Sequence, residues 1–440
     1  MALSLPIQLE LRSGQFPDPA VVTVYDRYTV AISMLQPGTP FTFTLWRTAV
    51  SSNTTGTGAD TSNAAGTPPR IAEDSSGWDV LRSRAKVGGS VRFYIDGGLQ
   101  LDGVCESIRI GADRSGATIT ISGRDKSGVA TSFDADPKAS LRGLPLGEAL
   151  TKVFAPVGLN VVITEAAAAR AVTLRDAGIR RPRRRSSRAR RRNPVDLAHP
   201  RPGDKIWQLA DTMVRRQGYM MWVVPGETGL TVVVDVPAFG SPRRFTFRRQ
   251  FGAFGAPGFV ASGNILSGFE TYDVREVPSE VHVYTGTARG DNVSARTEAI
   301  SDNGVFNNTP GSGRINRGYV SVPFRVQPRH IKSQRARTIA AGLNEGDRVL
   351  ADAMARFRVY EIMVQGHGQE DPETGRVILY AVNTMCRVYD ELCASADGAP
   401  LDEEMLITSV TFEGSRQAGQ TTRLELVPKG SIILSPVEPS

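Results

Sequence analysis

The sequence predicts an α+β fold that is predominantly β, in which two β-rich regions flank a small mixed α/β module. Three observations predict it. The chain carries 44 glycines and 27 prolines in 440 residues, which implies many turns and hence many strands. Apolar residues alternate with strand-like periods towards both ends, while helical spacing stands out in only three places. The length exceeds what one core organises, so about three domains are expected. Their boundaries are placed at 1–135, 136–244 and 245–440.

In the first region, Ala20–Tyr25 and Thr42–Trp46 read as strands. Thr48–Ser76 is dominated by Ser, Thr, Gly, Asn and Ala and reads as a long loop. Ser90–Ile95, a turn at Asp96-Gly97-Gly98, Leu101–Ile110, a turn at Asp113–Gly116 and Ala117–Ser122 then read as successive hairpins of an antiparallel barrel or sheet.

The second region opens near Asp136-Pro137. Leu146, Leu150, Val153 and Phe154 share one helical face, and Gly158 suits a left-handed terminus. Strand Leu159–Ile163 follows. Asp204 suits an N-cap for a helix with Ile206, Leu209, Ala210, Met213 and Val214 as its core stripe and Gly218 as its end. Met220–Val224 and Leu230–Val234, joined by a turn at Pro225–Gly229, read as a hairpin.

The third region has strand signals at Glu280–Tyr284, Tyr319–Val322, Tyr360–Gly366, Val377–Val382, Met405–Phe412 and Thr421–Val427. One long helix is expected over 333–356, with Ala336, Ile339, Ala340, Leu343, Leu350, Ala353 and Met354 as its stripe and Gly346 as a weak point. Residues Gly286–Gly318 are expected as a second exposed loop.

Composition narrows the function classes. No run approaches the roughly 18 apolar residues of a membrane span, and Met1–Leu11 lacks a signal-peptide pattern. The three cysteines, Cys105, Cys386 and Cys393, are odd in number and without close spacing, which fits folding in a reducing cytosol and no metal site. His199, His282, His330 and His367 show no HxxxH or HExxH spacing, so each is expected at the surface or in packing. There is no GxSxG elbow, no phosphate loop and no strand-linked GxGxxG. Asp402-Glu403-Glu404 is expected as solvated carboxylates in a turn before a strand. Arg289-Gly290-Asp291 reads as a turn, and the acceptor-like Asn53, Asn292 and Asn307 carry weight only in a secreted chain. The chain is therefore expected not to be an enzyme, with no catalytic residues, no cofactor, no metal and no small-molecule substrate.

Net charge is +7 and the pI about 9.4, but subtracting the nine arginines of one segment leaves −2. These are Arg180, Arg181, Arg183, Arg184, Arg185, Arg188, Arg190, Arg191 and Arg192, with Pro182 among them and Pro194 after. Like-charge repulsion and the prolines disfavour a helix, so 180–192 reads as an extended insertion. Three readings stay open for it: a solvated loop, an electrostatic contact with an acidic protein, or a nucleic-acid contact. The last lacks interleaved aromatics or a shaped helix.

Gly123-Arg124-Asp125 closes a hairpin pair just before a small linker, and Gly89–Gly103 places Val91, Phe93 and Ile95 in alternation before Asp102-Gly103. The last region runs through a long helix, Tyr360–Val364, Gly366-His367, Tyr380–Asn383, Val388–Asp390, Met405–Ile407, Gly419–Thr422 and Leu424–Pro428. In this order the motifs resemble the Mu-like baseplate hub proteins of contractile-tailed bacteriophages, related to the hub part of type VI secretion spikes. The resemblance implies two tube-like antiparallel β-barrel domains separated by the small α/β module. It further implies a homotrimer that forms a ring in the virion tail baseplate, assembled in the host cytoplasm, with a central spike protein, a tail tube or tube-initiator protein and baseplate wedge proteins as partners. Nucleic acid is then expected only as the genome in transit, and a phage-derived injection device is the alternative setting. The type VI relatives continue into a β-helical needle, whereas Ser440 is reached without such repeats, so the spike is expected on a separate polypeptide.

Overall fold

The computed structural model describes residues 5–13, 18–48, 75–113, 116–141, 144–164, 200, 202–216, 218–226, 229–251, 261–273, 275, 280–286, 292–298, 328–333, 346, 349, 353, 356–371, 374–394, 400–429 and 431–432. The first stretch of chain gives β1 (Ile7–Arg12), β2 (Ala20–Val22), β3 (Arg27–Ser33), β4 (Pro40–Thr48), α1 (Ser75–Arg84), β5 (Ser90–Ile95), β6 (Gly98–Asp113), β7 (Gly116–Asp125) and α2 (Lys126–Ser132). The middle gives α3 (Leu146–Phe154), β8 (Asn160–Ile163), α4 (Ile206–Arg216), β9 (Met220–Pro225) and β10 (Leu230–Asp235). The remainder gives β11 (Phe245–Phe251), β12 (Ala261–Gly263), β13 (Ile265–Tyr272), β14 (Glu280–Gly286), β15 (Asn292–Glu298), β16 (Pro328–Ser333) and β17 (Arg358–Gln365). It closes with β18 (Gly368–Glu370), β19 (Val377–Leu379), β20 (Thr384–Ala394), β21 (Pro400–Ser415) and β22 (Gly419–Pro428).

The protein is predominantly β, as its alternation predicts. Asp96 and Gly97 take φ of 50° and 75° between β5 and β6, the two left-handed residues of a tight hairpin turn that matches strand twist. β5 and β7 then alternate buried and half-buried residues along their length, each with one face on the core. In α3, Leu146, Ala149, Leu150, Val153 and Phe154 are buried, and Gly158 ends the following turn at φ 66°. The expected stripe of α4 is likewise buried, with Gly218 at φ 76° beyond it.

Fourteen strands form one sheet, in the order β12-β11-β20-β21-β3-β4-β7-β6-β5-β1-β2, with β22, β17 and β13 branching from β21. This corrects the expectation of two closed barrels: among the described residues the sheet is open, and the two β-rich regions join where β3 pairs antiparallel with β21. An unpaired strand edge is a strong template, and each region supplies one to the other. Between them, parallel β8·β10 and antiparallel β10·β9 make a three-stranded sheet. It shares a separate core with α3 and α4. β9 belongs to both cores: Met220 and Trp222 face the large sheet, and Met221 and Val223 face the helices.

Three further expectations change. Asn292–Glu298, expected inside a loop, is β15, paired with β14, which also holds β16 in parallel; its polar composition hid a strand that the ladder of β14 supports. Asp402-Glu403-Glu404 lies within β21 rather than in a turn, opposite β20. Val377–Val382 is a strand only to Leu379. Of the helix expected over 333–356, Ser333 ends β16, and Gly346, Val349, Ala353 and Arg356 are helical. Its other residues, the strand Tyr319–Val322 and loop residues 49–74 lie outside the described residues.

The two longest hairpins have one design. β6 and β21 each have 16 residues, β7 and β22 each have 10, and the strands of each pair run antiparallel. Each long strand carries its bulge after its eighth residue, at Cys105/Ser107 and at Ile407/Ser409. Their outer neighbours correspond too: β4 pairs with β7 as β17 pairs with β22, and β3 pairs with β4 as β13 pairs with β17.

Candidate functional site

The junction between the regions is built around one histidine. Tyr28 on β3 is buried and hydrogen-bonds Nε2 of His367, whose Nδ1 lies 2.9 Å from Thr422 Oγ1 on β22. Thr422 Oγ1 donates to the Gly366 carbonyl at 2.7 Å, so it accepts from Nδ1–H, and Nε2 is left to accept the Tyr28 hydroxyl. Burial lowers the His367 pKa to about 4, which keeps the ring neutral. Burial raises that of Tyr28. Phe412 stacks edge-on to His367 with ring centroids 5.1 Å apart. The Tyr28 ring covers Gly414, where an added Cβ would stand 2.3 Å from it.

The Gly123-Arg124-Asp125 motif has a structural reason at each position. A Cβ on Gly123 would meet the Val104 carbonyl oxygen at 2.0 Å. Arg124 pairs with Glu106 at 2.7 Å beside the bulge of β6. Asp125 caps α2 by accepting from Gly128 N at 3.0 Å and also accepts from Ser127 and Thr39 hydroxyls. The motif turns the end of β7 into the helix that leads to the middle of the chain.

The charged clusters are occupied by partners. Arg249 holds Asp390 through two bonds of 2.9 and 2.6 Å, and the Tyr360 hydroxyl donates to the same carboxylate. Burial raises the Asp390 pKa, but these hydrogen bonds outweigh it and the net shift is downward. In the acidic triplet, Asp402 pairs with Arg387 at 2.7 Å, Glu403 with Arg358 at 3.0 Å and Glu404 with Lys429 at 2.7 Å. Arg358 also reaches Glu270 on β13 at 2.6 Å. These carboxylates tie strands together. His282 and His330 are opposite in the β14·β16 ladder, with rings stacked 4.9 Å apart. The nine arginines of 180–192, His199 and Arg289–Asp291 lie outside the described residues.

The surface that sequence reasoning missed is a pair of strand edges. Beyond its bulge, Ser107–Asp113 of β6 pairs with β7 and with no other described strand, and Ile110 is 57% exposed. β13 pairs with β17 alone among the described strands, and Leu266, Phe269 and Tyr272 are exposed on it. The signal was present as apolar residues in alternation, Ile108 and Ile110, on a stretch whose cover the sequence does not reveal.

No protein-family model matches the chain, and no curated protein matches it by sequence. Solved structures do. The tail protein of Neisseria meningitidis MC58 superposes with a TM-score of 0.62 at 18% identity, over 97% of this chain and 98% of that one. The 43 kDa tail protein of prophage MuSo2 from Shewanella oneidensis gives 0.62 at 17% identity, over 97% and 99%. The chain shares the fold of these two tail proteins. The expected resemblance, to Mu-like baseplate hub proteins, is met by a likeness in fold to phage tail proteins over nearly the whole chain.

Proposed function

We propose that the chain is a structural hub of a contractile tail, not an enzyme: a homotrimer whose two similar β-rich halves build a ring between the tail tube and a separate central spike, with wedge proteins around it. The observation that carries this reading is the duplicated hairpin with its corresponding neighbours. Two similar units per chain let three chains make a ring of six similar units, the way a trimer meets a six-fold tube. The fold shared with prophage tail proteins supports the setting. Arg180–Arg192 is the proposed electrostatic contact with an acidic neighbour, because nine like charges in one segment attract a surface of opposite sign.

Light scattering of the purified protein tests the reading, with and without about 0.5 M salt to screen exposed charge. The expected mass is three times the 47.5 kDa of the chain in both conditions. A monomer at every concentration would count against the hub.

A further inference from the structure

We infer that the bare half of β6 pairs with the outer edge of β13 from a neighbouring copy, antiparallel, with Arg109 opposite Thr271 and Gly111 opposite Phe269. The inference deepens the trimer reading and takes its number of copies from it. The register comes from the chain's own internal junction. Matching the hairpins sets Ser107–Asp113 on Ser409–Ser415, the part of β21 that β3 covers. The ladders then set β4 on β17, with Phe41, Phe43 and Leu45 falling on Tyr360, Ile362 and Val364, all buried. One strand further out, Arg27 of β3 falls on Ser267 of β13. β3 is therefore to β21 what β13 is to β6, but β6 and β13 of one chain sit far apart in the strand order. Each chain carries one edge of each kind, and a head-to-tail contact between such edges propagates into a ring.

The side chains fit that register. Inside the chain, Tyr28 lies over Gly414, and a larger residue there would collide. The transferred pair is Gly268 with Ala112. Gly268 is already covered from within by Tyr360, whose hydroxyl stands 2.5 Å from its Cβ position, and with no tyrosine above it Ala112 needs no glycine. Phe269, 65% exposed, would lie across Gly111, whose Cβ position has nothing nearer than Thr118 Oγ1 at 3.8 Å. An aromatic ring over a cross-strand glycine is a favourable pair.

Disulfide trapping tests the register. In the internal junction Met34 N donates to the Thr408 carbonyl at 2.9 Å and Arg416 N to that of Asp26 at 3.1 Å, which fixes the hydrogen-bonded pairs. Thr411 opposite Ala31 is thus a non-hydrogen-bonded pair, as is the transferred Arg109 opposite Thr271. Such pairs bring Cα atoms to about 4.5 Å, inside the range a disulfide spans. Oxidised Arg109→Cys/Thr271→Cys protein is expected to run on a non-reducing gel as a ladder ending at the trimer. Each single variant and the off-register pair Arg109→Cys/Ser267→Cys are expected to stay monomeric on the gel. Ile110→Asp, which sets a carboxylate opposite Glu270, is expected to dissociate the trimer without lowering the Tm of the single chain. A trimer by light scattering that does not cross-link in this register, or that survives Ile110→Asp, overturns the pairing and leaves the trimer standing. A protein that stays monomeric at every concentration overturns both.

Discussion

The hairpins β6–β7 and β21–β22 agree in strand length and bulge position, yet their environments differ. Ser409–Ser415 is covered by β3, and Phe412 on it is fully buried; the matching Ser107–Asp113 has no described strand beside it other than β7, and the matching Ile110 is 57% exposed. The inward positions are apolar in both, with Val410 and Phe412 matching Ile108 and Ile110. The backbone plan is thus set by the hairpin, while burial is set by which strand lies alongside. An apolar alternation that one hairpin buries within the chain remains available in the other.

That comparison can be broken or sharpened at four points. The largest effect is expected at Phe412→Ala, which empties a site in the closed junction. Unfolding in urea should register a loss of about 3–5 kcal/mol, and a loss as small as that at Ile110 would mean the two hairpins do not differ as described. Acid comes next. The unfolded chain takes up a proton on His367 near the ordinary histidine pKa of 6.5, whereas the folded chain resists until about 4. Stability from this group is therefore full above 6.5 and falls as pH drops towards 4, by on the order of 3 kcal/mol. A His367→Gln variant should lose that slope, and an unchanged slope would remove His367 as its source.

Gly414→Ala ranks third, because its Cβ meets the Tyr28 ring. A destabilisation of about 1–3 kcal/mol is expected from the urea midpoint. Ile110→Ala is the smallest. In the dissociated chain it should stay within about 0.5 kcal/mol, and a loss of the size expected for Phe412→Ala would show that β6 is covered within a single chain.

Local rules made part of this legible. Asp96-Gly97 announced its hairpin through the left-handed backbone it needs, and Leu146–Phe154 and Ile206–Val214 announced their helices through spacing. What the sequence could not show was pairing across hundreds of residues: β3 finds β21 because both edges are open and complementary, and no local pattern records that. For the same reason β15 was hidden, since β14 supplies its ladder, and Asp402–Glu404 was misread as a turn. Its neutralising partners Arg387, Arg358 and Lys429 come from other strands or from beyond the end of β22. The exposed edge of β6 was missed on the same ground. Ile108 and Ile110 read as part of a hairpin strand, and only the structure leaves that strand with β7 on one side and no other described strand beside it.

Amide hydrogen exchange across the two hairpins tests the central claim most directly, read in the assembled protein and again after dilution to single chains. Backbone groups of Ser409–Ser415 are expected to be protected in both states, because β3 belongs to the same chain. Those of Ser107–Asp113 are expected to match them in the assembly and to exchange much faster after dilution. Equal protection of the two segments in the single chain, or fast exchange of Ser107–Asp113 in an intact trimer, would contradict the account.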